Sequence, residues 1–263
     1  MHDDSAPPTK RVRHATDLLS DRIPILCLGS GAALTDGRLW NCLLVDETIL
    51  LDLPPTAIPH MHRLGVDPSS IDVIFISHHH ADHSFGLPFL LLEYCVRYER
   101  EEPLYIVGPP RLEEMVEKMC ELAWPDMRAK GFRPRVPLRF MEIGEEGEYC
   151  AGDLEFRAIR MEHFGLDALG YRFTHRGKTI AYTGDTGECN QVCRLLEGAD
   201  VGIIELTHPR PSEDPGHLCT DEVARITSDL RDRGGVVLAT HMMGTPDPID
   251  GITICEDGET YYV

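Results

Sequence analysis

One stretch constrains this chain more than any other. Ser77-His78-His79-His80-Ala81-Asp82-His83 sets four candidate metal ligands within six residues, directly after an apolar run. That run, Ile71-Asp72-Val73-Ile74-Phe75-Ile76, reads as a buried strand, and side chains alternate along a strand. His78 and His80 therefore leave its end on one side, and His79 points away. Asp82 and His83 come from the turn that starts the next helix. Neutral imidazoles with a carboxylate suit zinc, and ligands this closely spaced belong to catalytic sites with open coordination positions. A solvated histidine tract is the rival reading. Tags and His-rich linkers, however, do not follow a β-rich apolar run or carry an ordered Asp-His pair.

With 263 residues, 42% of them apolar, the chain can bury a substantial core. No linker interrupts it, so one domain is expected over 1–263, with 1–20 a flexible N-terminal extension. Met1 to Arg13 is polar and basic without an apolar signal core, and no run has the uncharged length of a membrane span. A cytoplasmic protein without a membrane partner is expected. Nine cysteines without a C-x-x-C pair fit reduced thiols that act as small core residues. The 25 basic and 44 acidic residues give a formal charge of −19, which opposes a long polyanion such as duplex DNA. Arg128, Lys130, Arg133, Arg135 and Arg139 run against that trend; a solvated basic loop is favoured slightly over an anion-docking patch.

Strands are expected over 23–28, 39–45, 48–53, 71–76, 103–107, 138–143, 154–161, 169–174, 178–182, 201–206, 236–240 and 252–255. The second and third form a hairpin around Asp46-Glu47. Helices are expected over 56–64, 84–100, 111–122, 188–196 and 220–231, with an irregular proline-rich insertion over 124–137. The 84–100 helix is apolar around much of its circumference, so it is buried on more than one side, by the core or by a second subunit. Strand runs interspersed with helices indicate an α/β protein of the α+β type, two mixed β-sheets face to face with helices outside.

Three later fragments place a possible ligand just after an apolar strand: His163, Asp185 and His241. Together with the first cluster they supply enough nitrogen and oxygen for two metals. The pattern His78-x-His80-x-Asp82-His83, followed by His163, Asp185 and His241, resembles the signature of the metallo-β-lactamase-fold hydrolases. The resemblance covers Ile23 to the C-terminus and implies an αββα sandwich with the metals at the edge between the sheets. It implies that His78, His80 and His163 hold one divalent ion and Asp82, His83 and His241 the other, with Asp185 bridging. Zinc is the expected metal, with manganese or iron as alternatives, and histidine at position 80 speaks against the di-iron redox branch.

Further fragments resemble the branch that holds ribonuclease Z and the cyclic phosphodiesterase of phosphonate catabolism. They are Gly86-Leu87-Pro88, Leu104 to Pro109, Gly170-Tyr171-Arg172-Phe173, Tyr182 to Thr186, Glu205-Leu206-Thr207-His208 and Gly216-His217-Leu218. That branch uses residues matching Glu205 and His217 beside its metals. Two departures stand out: Asp52-Leu53-Pro54-Pro55 replaces a glycine-containing turn, and no long arm of the kind that clamps transfer RNA is present.

Two divalent ions would make a bridging hydroxide available near neutral pH. His217, kept cationic by Glu205, would protonate the leaving oxygen, and Asp82 would hold the hydroxide's proton as well as a metal. A binuclear hydrolase of a small or single-stranded phosphodiester is expected, with tRNA possible but not favoured, and a homodimer paired through Phe85 to Val96. The alternatives are an ester, lactone or thioester hydrolase on the same site, and a metal-bound ligand-binding domain without turnover.

Overall fold

Two seven-stranded sheets organise the described residues, 22–126, 130–131 and 133–263 of the computed structural model. In spatial order the first holds β14 (Thr260–Tyr262), β1 (Pro24–Gly29), β2 (Cys42–Val45), β3 (Ile49–Leu51), β4 (Val73–Phe75), β5 (Leu104–Gly108) and β6 (Leu138–Glu142). The second holds β13 (Thr253–Ile254), β12 (Val236–Thr240), β11 (Val201–Glu205), β10 (Lys178–Tyr182), β9 (Ala168–His175), β8 (Leu154–Met161) and β7 (Gly147–Ala151). The expected extension 1–20 and Arg128 lie outside the described residues.

Alternation along the strands builds three apolar layers. Leu43, Val45, Ile49, Leu51, Val73 and Phe75 face the second sheet, where Phe156, Tyr171, Phe173, Ile180 and Tyr182 meet them. Phe75 sits among these aromatics, with ring centroids 4.5 Å from Tyr171, 5.0 Å from Phe156 and 5.6 Å from Phe173. The intervening residues, among them Leu44, Leu50, Ile74 and Ile106, pack outward under α1 (Ala57–Leu64), α3 (Leu87–Val96) and α4 (Leu112–Ala123). Beyond the second sheet, Ile204, Val237 and Ala239 pack under α5 (Asn190–Leu196), α6 (Thr220–Ile226) and α7 (Ser228–Asp232). β2, β3, β4 and β11 are buried on both faces, which explains their nearly continuous apolar runs. The architecture is the expected αββα sandwich.

Strand direction decides where polar residues can gather. β3, β4 and β5 run parallel, as do β10, β11 and β12. β8 is antiparallel to β9, which is antiparallel to β10, so β8 points the same way as β10. The residues that follow β3, β4, β8, β10, β11 and β12 therefore emerge along one edge of the sandwich, where open α/β sheets characteristically build sites. The two sheets are tied there: Leu169 donates its N–H to Ser77 O at 2.9 Å, and the Tyr171 hydroxyl donates to Ile76 O at 2.7 Å.

Several elements differ from expectation. The helix expected over 84–100 is shorter, running as α3 from Leu87 to Val96, and a separate turn, α2 (Ala81–Ser84), precedes it, because Phe85-Gly86 turns the chain beneath the β3 exit. A Cβ on Gly86 would lie 2.5 Å from the carbonyl oxygens of Leu53 and Pro54, so only glycine permits that approach. The helix expected over 220–231 divides at Thr227, whose hydroxyl donates to Val223 O at 2.7 Å. β7 and β14 are strands the sequence did not suggest. The β2–β3 hairpin turns at Asp46 and Glu47, with φ of 47° and 61°, a turn that matches strand twist. All nine cysteines are free thiols, with Cys27, Cys42, Cys219 and Cys255 buried. No helix among the described residues is long and apolar enough to cross a membrane.

Candidate metal centre

Each sheet sends its polar residues to the shared edge. β4 leads into Ser77 and His78, and α2 then presents Asp82 and His83 from its first turn and a half. His163 follows β8, Asp185 follows β10, Glu205 ends β11 and His241 follows β12. Gly184 permits the approach of Asp185: its φ is +58°, and a Cβ there would lie 2.5 Å from the Ser77 Cβ. His241, a candidate ligand, has φ 59°, in the left-handed region that non-glycine residues rarely adopt.

The structure brings all seven candidate ligands together. His78, His80 and His163 present atoms within 4.8 Å of one another, as do Asp82, His83 and His241. Asp185 Oδ2 stands between the two groups, 3.3 Å from His83 Nε2, 3.2 Å from His241 Nε2, and 3.9 Å from both His78 Nε2 and His163 Nε2. His83 and His241 bring their Nε2 atoms to 3.3 Å, and His163 Nε2 lies 3.3 Å from His80 Nδ1. His79 turns away as expected, its Nε2 3.0 Å from Pro110 O, although the strand itself ends at Phe75.

The outward nitrogens explain this convergence. His163 Nδ1 donates to Gly216 O at 2.8 Å, His78 Nδ1 to Ser77 Oγ at 3.0 Å, His241 Nδ1 to Thr207 Oγ1 at 2.9 Å and His83 Nδ1 to Asp52 Oδ2 at 2.7 Å. Each fixes the tautomer whose Nε2 lone pair faces inward, the arrangement that metal-binding histidines adopt. Asp52 is fully buried at φ 58°. It accepts from Ser77 N at 2.7 Å, from Ser77 Oγ at 2.8 Å and from the Tyr182 hydroxyl, which in turn accepts from Asn41 Nδ2 at 2.8 Å. Asp52, Thr207, Ser77, Tyr182 and Asn41 were not among the expected site residues. The available signal for Asp52 was a lone acid ending the apolar run Ile49-Leu50-Leu51.

Two atoms test whether metals fit. His78 Nε2 and Asp185 Oδ1 are buried without a hydrogen-bond partner, a costly state for polar atoms unless a cation completes them. Five imidazoles and two carboxylates form a donor set suited to borderline divalent ions. In the metal-free protein, burial pushes the His78 and His163 imidazoles down, toward the neutral form that binds metal. Burial opposes the Asp185 charge, but His241 and His83 outweigh it and hold the carboxyl well below the usual range.

Beside the cluster stands His217, its ring stacked on His241 at 5.5 Å and edge-on to His163 at 4.9 Å. His217 Nδ1 donates to Glu205 Oε1 at 3.0 Å. Glu205 also accepts from Thr186 N, Thr207 N and the Thr207 hydroxyl, so its orientation is fixed. Burial lowers the His217 pKa, but the hydrogen bond and charge of Glu205 prevail and push it up to about 9. Of the basic segment, Arg135 pairs with Glu99 at 3.3 Å and Lys130 with Asp126, which fits a locally paired loop.

A family described as Beta-lactamase superfamily domain matches residues 33–242. Ribonuclease Z of Thermococcus gammatolerans is 33% identical, over 71% of this chain and 73% of its own. Ribonuclease Z of Aeropyrum pernix is 26% identical over 78% of this chain and 83% of its own. Human tRNase Z, short form, matches in structure with a TM-score of 0.73 at 20% identity, covering 90% of this chain and 98% of that one. A diphosphatase of the PhnP family gives 0.70 at 19% identity, covering 91% and 97%.

Proposed function

The chain belongs to the β-lactamase superfamily and is a metal-dependent hydrolase related to ribonuclease Z, and from that premise we propose a binuclear phosphodiesterase acting on a small or single-stranded phosphodiester. The observation that carries this reading is the pair of three-residue clusters sharing Asp185, with the His217–Glu205 pair immediately beside them. His78, His80 and His163 would hold one divalent ion, most simply zinc, and Asp82, His83 and His241 the other, with Asp185 bridging. Bound there, the ions would supply a hydroxide nucleophile near neutral pH and draw charge from the phosphate oxygens.

The chain's own groups do the rest. Asp82 lies 3.4 Å from His83 Nε2 and 3.7 Å from His241 Nε2, positioned to orient the attacking oxygen's proton. Asp52, Ser77, Thr207 and the Gly216 carbonyl hold four imidazoles in register, so no reorganisation is needed as the reaction proceeds. Protonated His217 faces the cluster and can donate to the leaving oxygen, with Glu205 fixing its ring. Ester, lactone or thioester hydrolysis would use the same nucleophile. A cationic donor backed by a buried carboxylate suits an alkoxide leaving group more than the thiolate of a thioester, and among alkoxide-releasing substrates the likeness to ribonuclease Z favours the phosphodiester. The reading extends to a homodimer paired through α3, in a reducing compartment such as the cytoplasm that suits nine free thiols.

The deciding experiment measures metal content and compares hydrolysis of bis-p-nitrophenyl phosphate, an acyl-homoserine lactone and an acyl thioester. Phosphodiester turnover that is lost on chelation and restored by zinc is expected. Preference for the lactone or thioester would overturn the substrate class, and full occupancy without turnover would leave a ligand-binding domain.

A further inference from the structure

An aromatic side chain without a role in that chemistry stands at the mouth of the cluster. Phe164 directly follows His163, and 55% of its surface is open. Its φ is +49°, a left-handed backbone that bulky residues rarely adopt and that persists where the surroundings impose it. Leu166 N–H closes the turn onto His163 O at 2.9 Å, so the strained residue is held by the same loop as the candidate ligand. The Phe164 ring lies 4.8 Å from the His163 ring and 5.6 Å from that of His217, edge-on to the latter at 75°. A Cβ on Gly216 would come within 2.4 Å of it, so glycine is what lets the ring rest against the loop carrying His217.

A single exposed apolar residue is ordinary on a protein surface. Leu122, 85% exposed near the end of α4, is such a case. Phe164 differs in three respects: its backbone is strained, a glycine accommodates its ring, and two histidines of the proposed site flank it. We propose that Phe164 is a stacking platform for an unpaired nucleobase of the substrate and thereby sets specificity for nucleotide diesters. The proposal rests on the phosphodiesterase reading and names the group attached to the phosphate. A phosphate seated between His217 and the metal cluster puts its nucleoside within reach of this ring. Every base has a π-face, so such a platform favours nucleotides over alkyl diesters without selecting a sequence.

The test uses the metal-loaded full chain and two esters with one leaving group, thymidine 5′-(p-nitrophenyl phosphate) and methyl p-nitrophenyl phosphate. Phe164→Leu keeps apolar volume without the π-face, and Phe164→Trp keeps both. The ratio of kcat/KM for the thymidine ester to that for the methyl ester should fall about tenfold in the leucine variant, through KM, and return in the tryptophan variant. An unchanged ratio in a metal-replete leucine variant would overturn the proposal. Failure of the wild type to cleave either ester would instead remove the phosphodiesterase reading on which it rests. Inhibition of methyl-ester hydrolysis by a 5′-mononucleotide and by a single-stranded pentaribonucleotide separates a free nucleotide from a strand end. Dependence of either inhibitor on Phe164 supports the proposal, and independence of both overturns it.

Discussion

Single residues decide how the edge of this sandwich differs from any other strand terminus. Asp185 Oδ2 is shared by both candidate metal groups, so Asp185→Ala should lower the metal content of both. Native mass spectrometry reads this directly; one metal in the wild type and no change in the variant would refute the binuclear arrangement. His217 is a different kind of residue, because the other seven candidates supply the metal donors without it. His217→Ala should retain metal while turnover falls about 10²–10⁴-fold, with a smaller loss for a p-nitrophenyl diester than for an alkyl diester. Equal losses would point to positioning instead. The same pair has a pH signature in the metal-free protein. Its folded pKa of about 9 lies above the ordinary 6.5, so its stabilisation is complete below about pH 6.5 and is lost as pH rises through about 9. The stability gap between wild type and His217→Gln should be at most about 3 kcal/mol near pH 6 and shrink by pH 10. A gap that widens with pH in denaturant titrations would contradict the ion pair. Residues of the cluster were legible because ligating types stand where apolar strands end. Asp52, Thr207 and Phe164 were not, because a buried acid, a threonine and a loop phenylalanine acquire meaning only from what they touch.

At the scale of elements, strands and helices that carry an apolar run could be read from the sequence, even short ones such as β3 and β4, and strands set mainly by pairing could not. β14 is three residues long and pairs with β1 from the opposite end of the sequence, so no local pattern announces it. β7 forms by pairing with β8 across a tight turn at Gly152, φ 62°. The break between α2 and α3 is set by contact with the β3 exit together with Pro88, which has no N–H to continue a helix through Ser84. That break divides the apolar run: α3 buries Leu87, Pro88, Leu90, Leu91 and Tyr94, while Phe85, Phe89 and Val96 remain 42%, 41% and 54% exposed. Phe89 packs edge-on against Trp124 at 5.6 Å, and Phe85, Phe89 and Val96 leave an apolar outer face on this helix for the proposed partner subunit. Light scattering should accordingly report twice 29.5 kDa, and Phe89→Asp should shift the protein toward monomer without changing its metal content. A wild-type monomer at micromolar concentration would remove the dimer.

For the whole molecule the governing quantity is a formal charge of −19 carried by an enzyme whose proposed substrate is itself anionic. A metal-loaded site would attract a phosphate over a few ångströms, whereas the surrounding acidic field acts over the Debye length, about 30 Å at 0.01 M salt and about 8 Å at 0.15 M. A monoanionic diester feels mainly the first, and a polynucleotide feels both. Raising ionic strength across that range should therefore increase kcat/KM for a single-stranded oligonucleotide while hardly changing it for methyl p-nitrophenyl phosphate. This is opposite in sign to the salt dependence of proteins that grip nucleic acid through many phosphate contacts. Relatives of this chain are named ribonuclease Z and tRNase Z, and an enzyme that grips RNA through many phosphate contacts would lose rate as salt rises. The sign of the salt slope separates the two: an oligonucleotide rate that falls steeply with salt would place a polyanion-binding face on this chain, whereas a rising rate confines recognition to the reacting phosphate and the nucleoside beside it.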